Sequence, residues 1–153
     1  MNKSEVENKG IDEKFFFDLC NIFKNIPTLQ TFGINLIYLG HGVVGIKMKA
    51  EREYTTINGR LHGGIIATLA DTAMGWAILS QGNDSVTLDM SLNYFAPVYE
   101  GSDITAESCI IFAGKTTVVA EANMFSQGKL VAKSRGTFFL APNKVLSVPD
   151  TNS

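Results

Sequence analysis

Between Ile65 and Ser80 the chain runs for about 16 residues in helix formers that are apolar, or alanine, around almost the whole circumference. At about 100° per residue, Ile65, Leu69 and Trp76 lead round to Ala73, Ala77 and Ile78, and a single stripe of Thr68, Asp71, Thr72 and Gly75 is left over. A helix with so little polar surface must be enclosed on nearly all sides. His62-Gly63-Gly64 precedes it, and Gly82-Asn83-Asp84 ends it.

The only material available to enclose it is β-structure. Phe32 to Leu39 reads as a strand, Gly40-His41-Gly42 as a turn, and Val44, Ile46, Met48 and Ala50 alternate with Lys47 and Lys49. After the helix, Val86, Leu88, Met90, Leu92 and Tyr94 alternate with Thr87, Asp89, Ser91 and Asn93, which predicts a strand with one apolar and one polar face. Ile104 to Phe112, Thr117 to Phe125 and Leu130 to Leu140 follow as three more strands joined by short turns. The expected fold is α+β, a sheet of five or six strands wrapped around one long central helix. A short amphipathic helix precedes the sheet, capped by Asp12 and stopped at Pro27. The chain divides into a loose polar tail over 1–12, one domain over 13–141 and a second loose tail over 142–153.

Composition narrows the chemistry. With 153 residues a single core suffices, so neither disulfides nor a structural metal is required. A formal net charge of -2 argues against a protein whose affinity comes from neutralising nucleic-acid phosphates or an anionic membrane. Cys20 and Cys109 match no zinc or redox spacing, and two histidines, His41 and His62, leave a His-rich metal site without material. The polar start carries no secretory pattern, and no run reaches the ~20 apolar residues of a membrane span. The expectation is a cytoplasmic protein with no metal, no nucleic-acid partner and no membrane.

Asp71 requires explanation, because a carboxylate in an otherwise apolar helix is costly unless it is paired, hydrated or used. One reading has it accept a hydrogen bond from a neighbouring hydroxyl such as Thr68 and merely fix the helix. The other draws on the start of the same helix, where Gly63 and Gly64 leave backbone N–H groups unobstructed at the positive end of the dipole, suited to an anion or oxyanion. The two features are eight residues apart, roughly 12 Å along the axis. One reacting carbonyl cannot touch both, so the acid and the amide at one site must come from two copies of the chain with antiparallel helices. An isologous homodimer with two shared sites is predicted.

The run from Gly59 to Gly75, with His62-Gly63-Gly64 and an aspartate nine positions after the histidine, resembles the signature of the hotdog-fold thioesterases of the phenylacetic-acid-degradation (PaaI-like) branch. The resemblance extends from about Phe32 to Leu140. It implies dimers that join their sheets edge to edge, tetramers as a frequent further assembly, and hydrolysis of acyl-CoA thioesters, of aryl or medium-chain type, with no cofactor beyond the coenzyme A of the substrate. Carried onto this sequence, Asp71 is the base or nucleophile, the Gly63 N–H polarises the thioester carbonyl, His62 positions that carbonyl or holds the loop, and Thr87 orients the attacking water. Where the family usually has an asparagine, six residues before the histidine, this chain has Thr56; either Asn58 takes its place through a shifted loop, or that contact is lost. Gly64, Thr68 and Thr72 are expected to line the substrate site with Thr56. Lys115, in a Gly114-Lys115-Thr116 hairpin turn that fails the Walker pattern at Cys109, is a candidate for the coenzyme A phosphates. Phe15 to Phe17, Trp76 and Tyr94 suit either an acyl pocket or plain core.

Two other readings of such a fold differ in kind. A non-catalytic acyl-CoA binding or sensing domain fits the Thr56 departure, and an acyl-thioester hydratase or dehydratase requires a histidine partnered with a carboxylate, for which only His62 is placed. No GxSxG elbow is present, but a thioester has a good leaving group, so a carboxylate with one or two N–H donors suffices.

Overall fold

The computed structural model describes residues 5–142. In chain order the elements are β1 (Glu7–Lys9), α1 (Glu13–Lys24), α2 (Pro27–Phe32), β2 (Asn35–Gly40), β3 (Val43–Lys49), α3 (Gly63–Leu79), β4 (Ser85–Tyr94), β5 (Asp103–Ala113), β6 (Thr117–Ser126) and β7 (Lys129–Leu140). The seven strands form one sheet in the order β1-β2-β3-β5-β6-β7-β4, antiparallel throughout except for β1 beside β2.

Helix α3 lies against β3, β4, β5, β6 and β7, so the sheet curls round it as its apolar circumference demands. Leu69, Ala70, Ala73, Met74 and Ala77 lose all solvent contact. Full burial of a side chain the size of Leu69 or Met74 contributes roughly 1.5–3 kcal/mol. The small residues between them let strands approach: Gly136 on β7 sits so close to Met74 that a Cβ there would lie 3.2 Å from the Met74 methyl.

Three expectations are corrected. Residues 5–12 are not a loose tail: Glu7–Lys9 pair in parallel with Tyr38, Leu39 and Gly40, and Ile11 is 5% exposed within the core. Asn8 holds that segment through its side chain, accepting from Ile11 N–H at 2.8 Å and donating to Ile11 O at 2.8 Å. This seventh strand was hidden because its pairing partner lies some thirty residues away and its own residues are polar. Second, Pro27 does more than stop α1: it opens α2, at the first helical position where its missing N–H costs nothing. The strand expected from Phe32 therefore begins at Asn35, after Gly33 turns the chain with φ +65°. The third correction is the strand count, seven where five or six were expected. The Asp12 cap of α1 is as read, accepting from Phe15 N–H at 3.1 Å. Of the expected end segments, residues 1–4 and 143–153 lie outside the described residues.

Ser80, just past the end of α3 and without solvent exposure, ties the helix to the β2–β3 turn. Its Oγ accepts from Gly42 N–H at 2.8 Å and donates to Ala77 O at 2.6 Å. Ser80→Ala leaves the buried Gly42 N–H without a partner, and a loss of about 1–3 kcal/mol is expected. A lower urea midpoint at unchanged m-value would verify it.

Candidate active site

The stripe that α3 leaves uncovered opens into a cleft of about 450 Å³, and Thr68, Asp71, Thr72 and Gly75 all line it. The N-terminal helices supply its opposite wall through Ile22, Ile26 and Leu29. Thr68 does not satisfy Asp71. Its hydroxyl donates back to Gly64 O at 3.0 Å, and that of Thr72 donates to Thr68 O at 2.7 Å, both ordinary uses of a threonine one turn up a helix.

The partner of Asp71 is Thr87 on β4, whose Oγ1 donates to Asp71 Oδ1 at 2.6 Å, a length typical of a hydroxyl bonded to a carboxylate. Strict alternation along β4 would turn Thr87 away from α3 with the other polar residues. A β-bulge prevents that. Thr87 stands opposite Phe138 and Asp89 opposite Thr137, so Leu88 is an extra residue in β4. Cross-strand neighbours share a face, and Phe138 is buried against the helix, so Thr87 points inward with it. Past the bulge Met90 and Leu92 face inward, opposite Gly136 and Ser134. Val86, opposite Phe139, ends on the other face, 55% exposed, and Leu88 is 59% exposed. The single apolar face read along β4 is therefore two half-faces.

The N-terminus of α3 lies in a different cleft. His62 is the N-cap, and its Nδ1 accepts from Gly64 N–H at 2.8 Å. An accepting Nδ1 is unprotonated, which leaves a neutral ring's proton on Nε2. Gly64 N–H is thereby spent on the histidine and is not the second free donor that was expected. Gly63 N–H has no acceptor among the described residues. The Gly63 carbonyl accepts the Tyr94 hydroxyl at 2.7 Å, and the Tyr94 ring stands where a Gly63 side chain would go, 3.2 Å from a Cβ built there. Burial pushes the Tyr94 phenol above its ordinary range, which keeps it a donor. Sequence reasoning weighed Tyr94 only as pocket lining or core and missed its bond to Gly63 O; its position at the end of a strand flanking the glycine pair was the available signal.

This second cleft, about 420 Å³, is lined by Thr56, Arg60, Gly63 and Tyr94 among others, and shares no lining residue with the first. Thr56 is thus beside Gly63, with its N–H donating to Arg60 O at 2.7 Å and its hydroxyl to the same oxygen at 3.3 Å. Asn58 is not brought in. It occupies a one-turn 3-10 segment at φ +64°, a left-handed conformation that asparagine tolerates, and lines neither cleft. Lys115 also lines neither; it sits exposed in the β5–β6 turn, whose Thr116 carbonyl accepts from Leu140 N–H. Of the aromatics, Trp76 lines the first cleft, Tyr94 the second, and Phe16 is core.

Residues 58–133 match the model of the Thioesterase superfamily. Human acyl-coenzyme A thioesterase 13 is 35% identical over 108 residues, covering 68% of this chain and 77% of that protein. The chain belongs to the thioesterase superfamily. The Escherichia coli PaaI structure superposes on this thioesterase with a TM-score of 0.84 at 25% identity, covering 90% of this chain and all of that one, so the arrangement is the hotdog fold. A hypothetical thioesterase of Streptococcus pneumoniae, solved with coenzyme A, superposes with a TM-score of 0.70 at 27% identity, covering 74% of this chain and 91% of that one. Structures of that protein with an aspartate and with a threonine replaced by alanine are also among the neighbours.

The bond from Gly64 N–H makes His62 a helix cap, and a cap has a distinctive substitution pattern. His62→Ala is expected to lower stability by about 1 kcal/mol, and His62→Asn, which can cap in the same way, to restore most of it. Thermal melts of the three proteins decide the matter, since a histidine acting only on substrate would leave all three melting together.

Proposed function

We propose that the protein hydrolyses an acyl-CoA thioester to the free acid and coenzyme A, at two equivalent sites each built from two protomers. The observation that carries this reading is the division of the site. Asp71, held by Thr87, opens into one cleft, whereas the acceptor-free Gly63 N–H opens into another, some 12 Å away along the same helix. A second copy with its helix antiparallel brings the Asp71 cleft of one protomer against the Gly63 cleft of the other.

Strand β4 offers the joint. It is a ten-residue strand at the open edge of the sheet, with Val86 and Leu88 exposed, and such an edge is normally paired or covered. Antiparallel pairing of two β4 strands across a two-fold axis continues the sheet and sets the two α3 helices side by side. Tetramers would then form by pairing of such dimers.

In the proposed site Thr87 occupies Asp71 Oδ1 and leaves Oδ2 to take a proton from water. The water oxygen attacks the thioester carbonyl carbon, and the charge that develops on the carbonyl oxygen is met by Gly63 N–H of the other protomer at the positive end of α3. Collapse breaks the carbon–sulfur bond, and the thiolate of coenzyme A leaves, taking up the proton held by Asp71. In the alternative course Asp71 attacks the carbonyl carbon itself, the carbon–sulfur bond breaks to release the thiolate, and water then hydrolyses the mixed anhydride, returning the Asp71 carboxylate and freeing the acid, with one proton passing to the thiolate. Thr68 and Thr72 shape the wall beside Asp71, Thr56 the wall beside Gly63. Lys115 is left a role at the phosphates only if the dimer brings its turn near the bound carrier. In the Streptococcus relative the substituted aspartate and threonine are 16 residues apart, the separation of Asp71 and Thr87 here, which supports treating the pair as a unit. Hydration chemistry is disfavoured, because it calls on His62 as a base and the His62 Nδ1 is already engaged by Gly64 N–H.

Thiol release from a panel of acyl-CoAs tests the reading. Asp71→Ala is expected to lose at least about 100-fold in kcat/KM. Gly63→Pro, which deletes the N–H, should lose on the order of 100-fold to 1000-fold, more than Gly63→Ala, which keeps it and pushes only on Tyr94. Mixed dimers of Asp71→Ala and Gly63→Pro subunits contain one intact site, so activity should reappear on mixing; heterodimers that form and stay inactive would sink the shared site.

A further inference from the structure

Gly75 is an expensive residue for its position. Glycine inside a helix costs about 1 kcal/mol relative to alanine, and α3 otherwise favours alanine and aliphatic residues. The chain makes no use of the two properties that normally justify the cost. The Gly75 backbone has no positive φ, and a Cβ built there meets nothing within 4 Å, so neither backbone conformation nor packing inside the protomer excludes a side chain. The open space is part of the Asp71 cleft. Gly75 lies four residues after Asp71, hence one turn along the same face, and a side chain there would lean back toward the carboxylate.

Around Asp71 the cleft is polar, with Thr68, Thr72 and Thr87. An apolar stretch between Trp76 and Leu79 on one side and Ile22, Ile26 and Leu29 on the other also lines it, and Asn83, Asp84 and Ser85 add a polar rim. A molecule with a polar reacting head and an apolar tail fits that lining. From Asp71 to Leu79 the helix advances about 12 Å, the length of an extended saturated chain of about eight to ten carbons.

We infer that Gly75 is the gate of an acyl channel along α3: its missing side chain lets the tail of a straight, medium-chain acyl thioester pass from Asp71 to the pocket beside Trp76, and so sets the length of acyl group accepted. This rests on the thioesterase reading above and adds to it a substrate class and a specificity-determining residue.

Trp76 is the single tryptophan of the chain and lines the channel, so its fluorescence reads occupancy by the tail. Butanoyl-, octanoyl- and dodecanoyl-CoA, with free coenzyme A as control, are titrated into the Asp71→Ala dimer, where binding is separated from turnover, with and without Gly75→Ala or Gly75→Leu. The Asp71→Ala protein should bind octanoyl-CoA at least about tenfold more tightly than butanoyl-CoA. Gly75→Leu should abolish that preference and leave butanoyl-CoA within about twofold, with Gly75→Ala intermediate. Both substitutions raise helix propensity, so a melting temperature at or above the parent's accompanies the effect. An unchanged length profile, or an equal loss for all lengths, would overturn the gate. So would loss of the dimer on size-exclusion chromatography, because the space would then belong to the second protomer. If the length profile shifts as expected but the Asp71-bearing protein releases no thiol, the channel stands and hydrolysis falls.

Discussion

Enclosing α3 is the constraint on which the rest of this molecule depends. Its apolar circumference can be kept from water only by a sheet that bends round it, and the sheet does so with β3 to β7. Because Leu69, Ala70, Ala73, Met74 and Ala77 are all fully buried, the polar stripe of Thr68, Asp71, Thr72 and Gly75 is left on the side of the helix that opens into the larger cleft. The same packing that stabilises the fold therefore presents the carboxylate. At the helix start, His62 caps with its side chain and uses Gly64 N–H, while Gly63, whose N–H has no acceptor among the described residues, lines a separate cleft.

Strand β4 has two unrelated duties, and the bulge at Leu88 reconciles them. Inward, Met90 and Leu92 must cover α3. Near the strand's start, a hydroxyl must reach Asp71. One inserted residue moves Thr87 to the helix side without disturbing the pairing on either flank, at the cost of leaving Val86 and Leu88 on exposed ground. In the proposed dimer this strand is where the second sheet joins, so the local irregularity that turns Thr87 toward Asp71 also leaves two apolar side chains exposed beside the proposed joint.

Much of this was legible in the chain, and the elements that were share a property. The Asp12 cap, α1, α3 and the strands from β5 to β7 are specified by residues within a few positions of one another, through hydrogen bonds and apolar periods that repeat along the backbone. Asp71 stood out by the same logic, as a charge interrupting a period. The family resemblance supplied Thr87, but alternation turned its side chain the wrong way. The missed features are relations between distant segments. Glu7–Lys9 is a strand because β2 accepts it, and Tyr94 belongs to the Gly63 cleft because the β4 edge ends beside the helix start. Asn58 misled because asparagine suits a left-handed turn as well as it suits a substrate.

Sequence was sufficient for an enclosed helix, a curled sheet and an acid too far from the glycine N–H groups at the helix start to share one carbonyl with them, because helical rise and hydrophobic period are properties of the backbone alone. Which hydroxyl meets Asp71, which glycine N–H stays free, and how the acid and the amide divide between two clefts were settled by register, by a single inserted residue in β4 and by the competition of His62 for Gly64. Those outcomes turn on pairing energies between segments far apart in the chain, and they exist only once the sheet has closed around the helix.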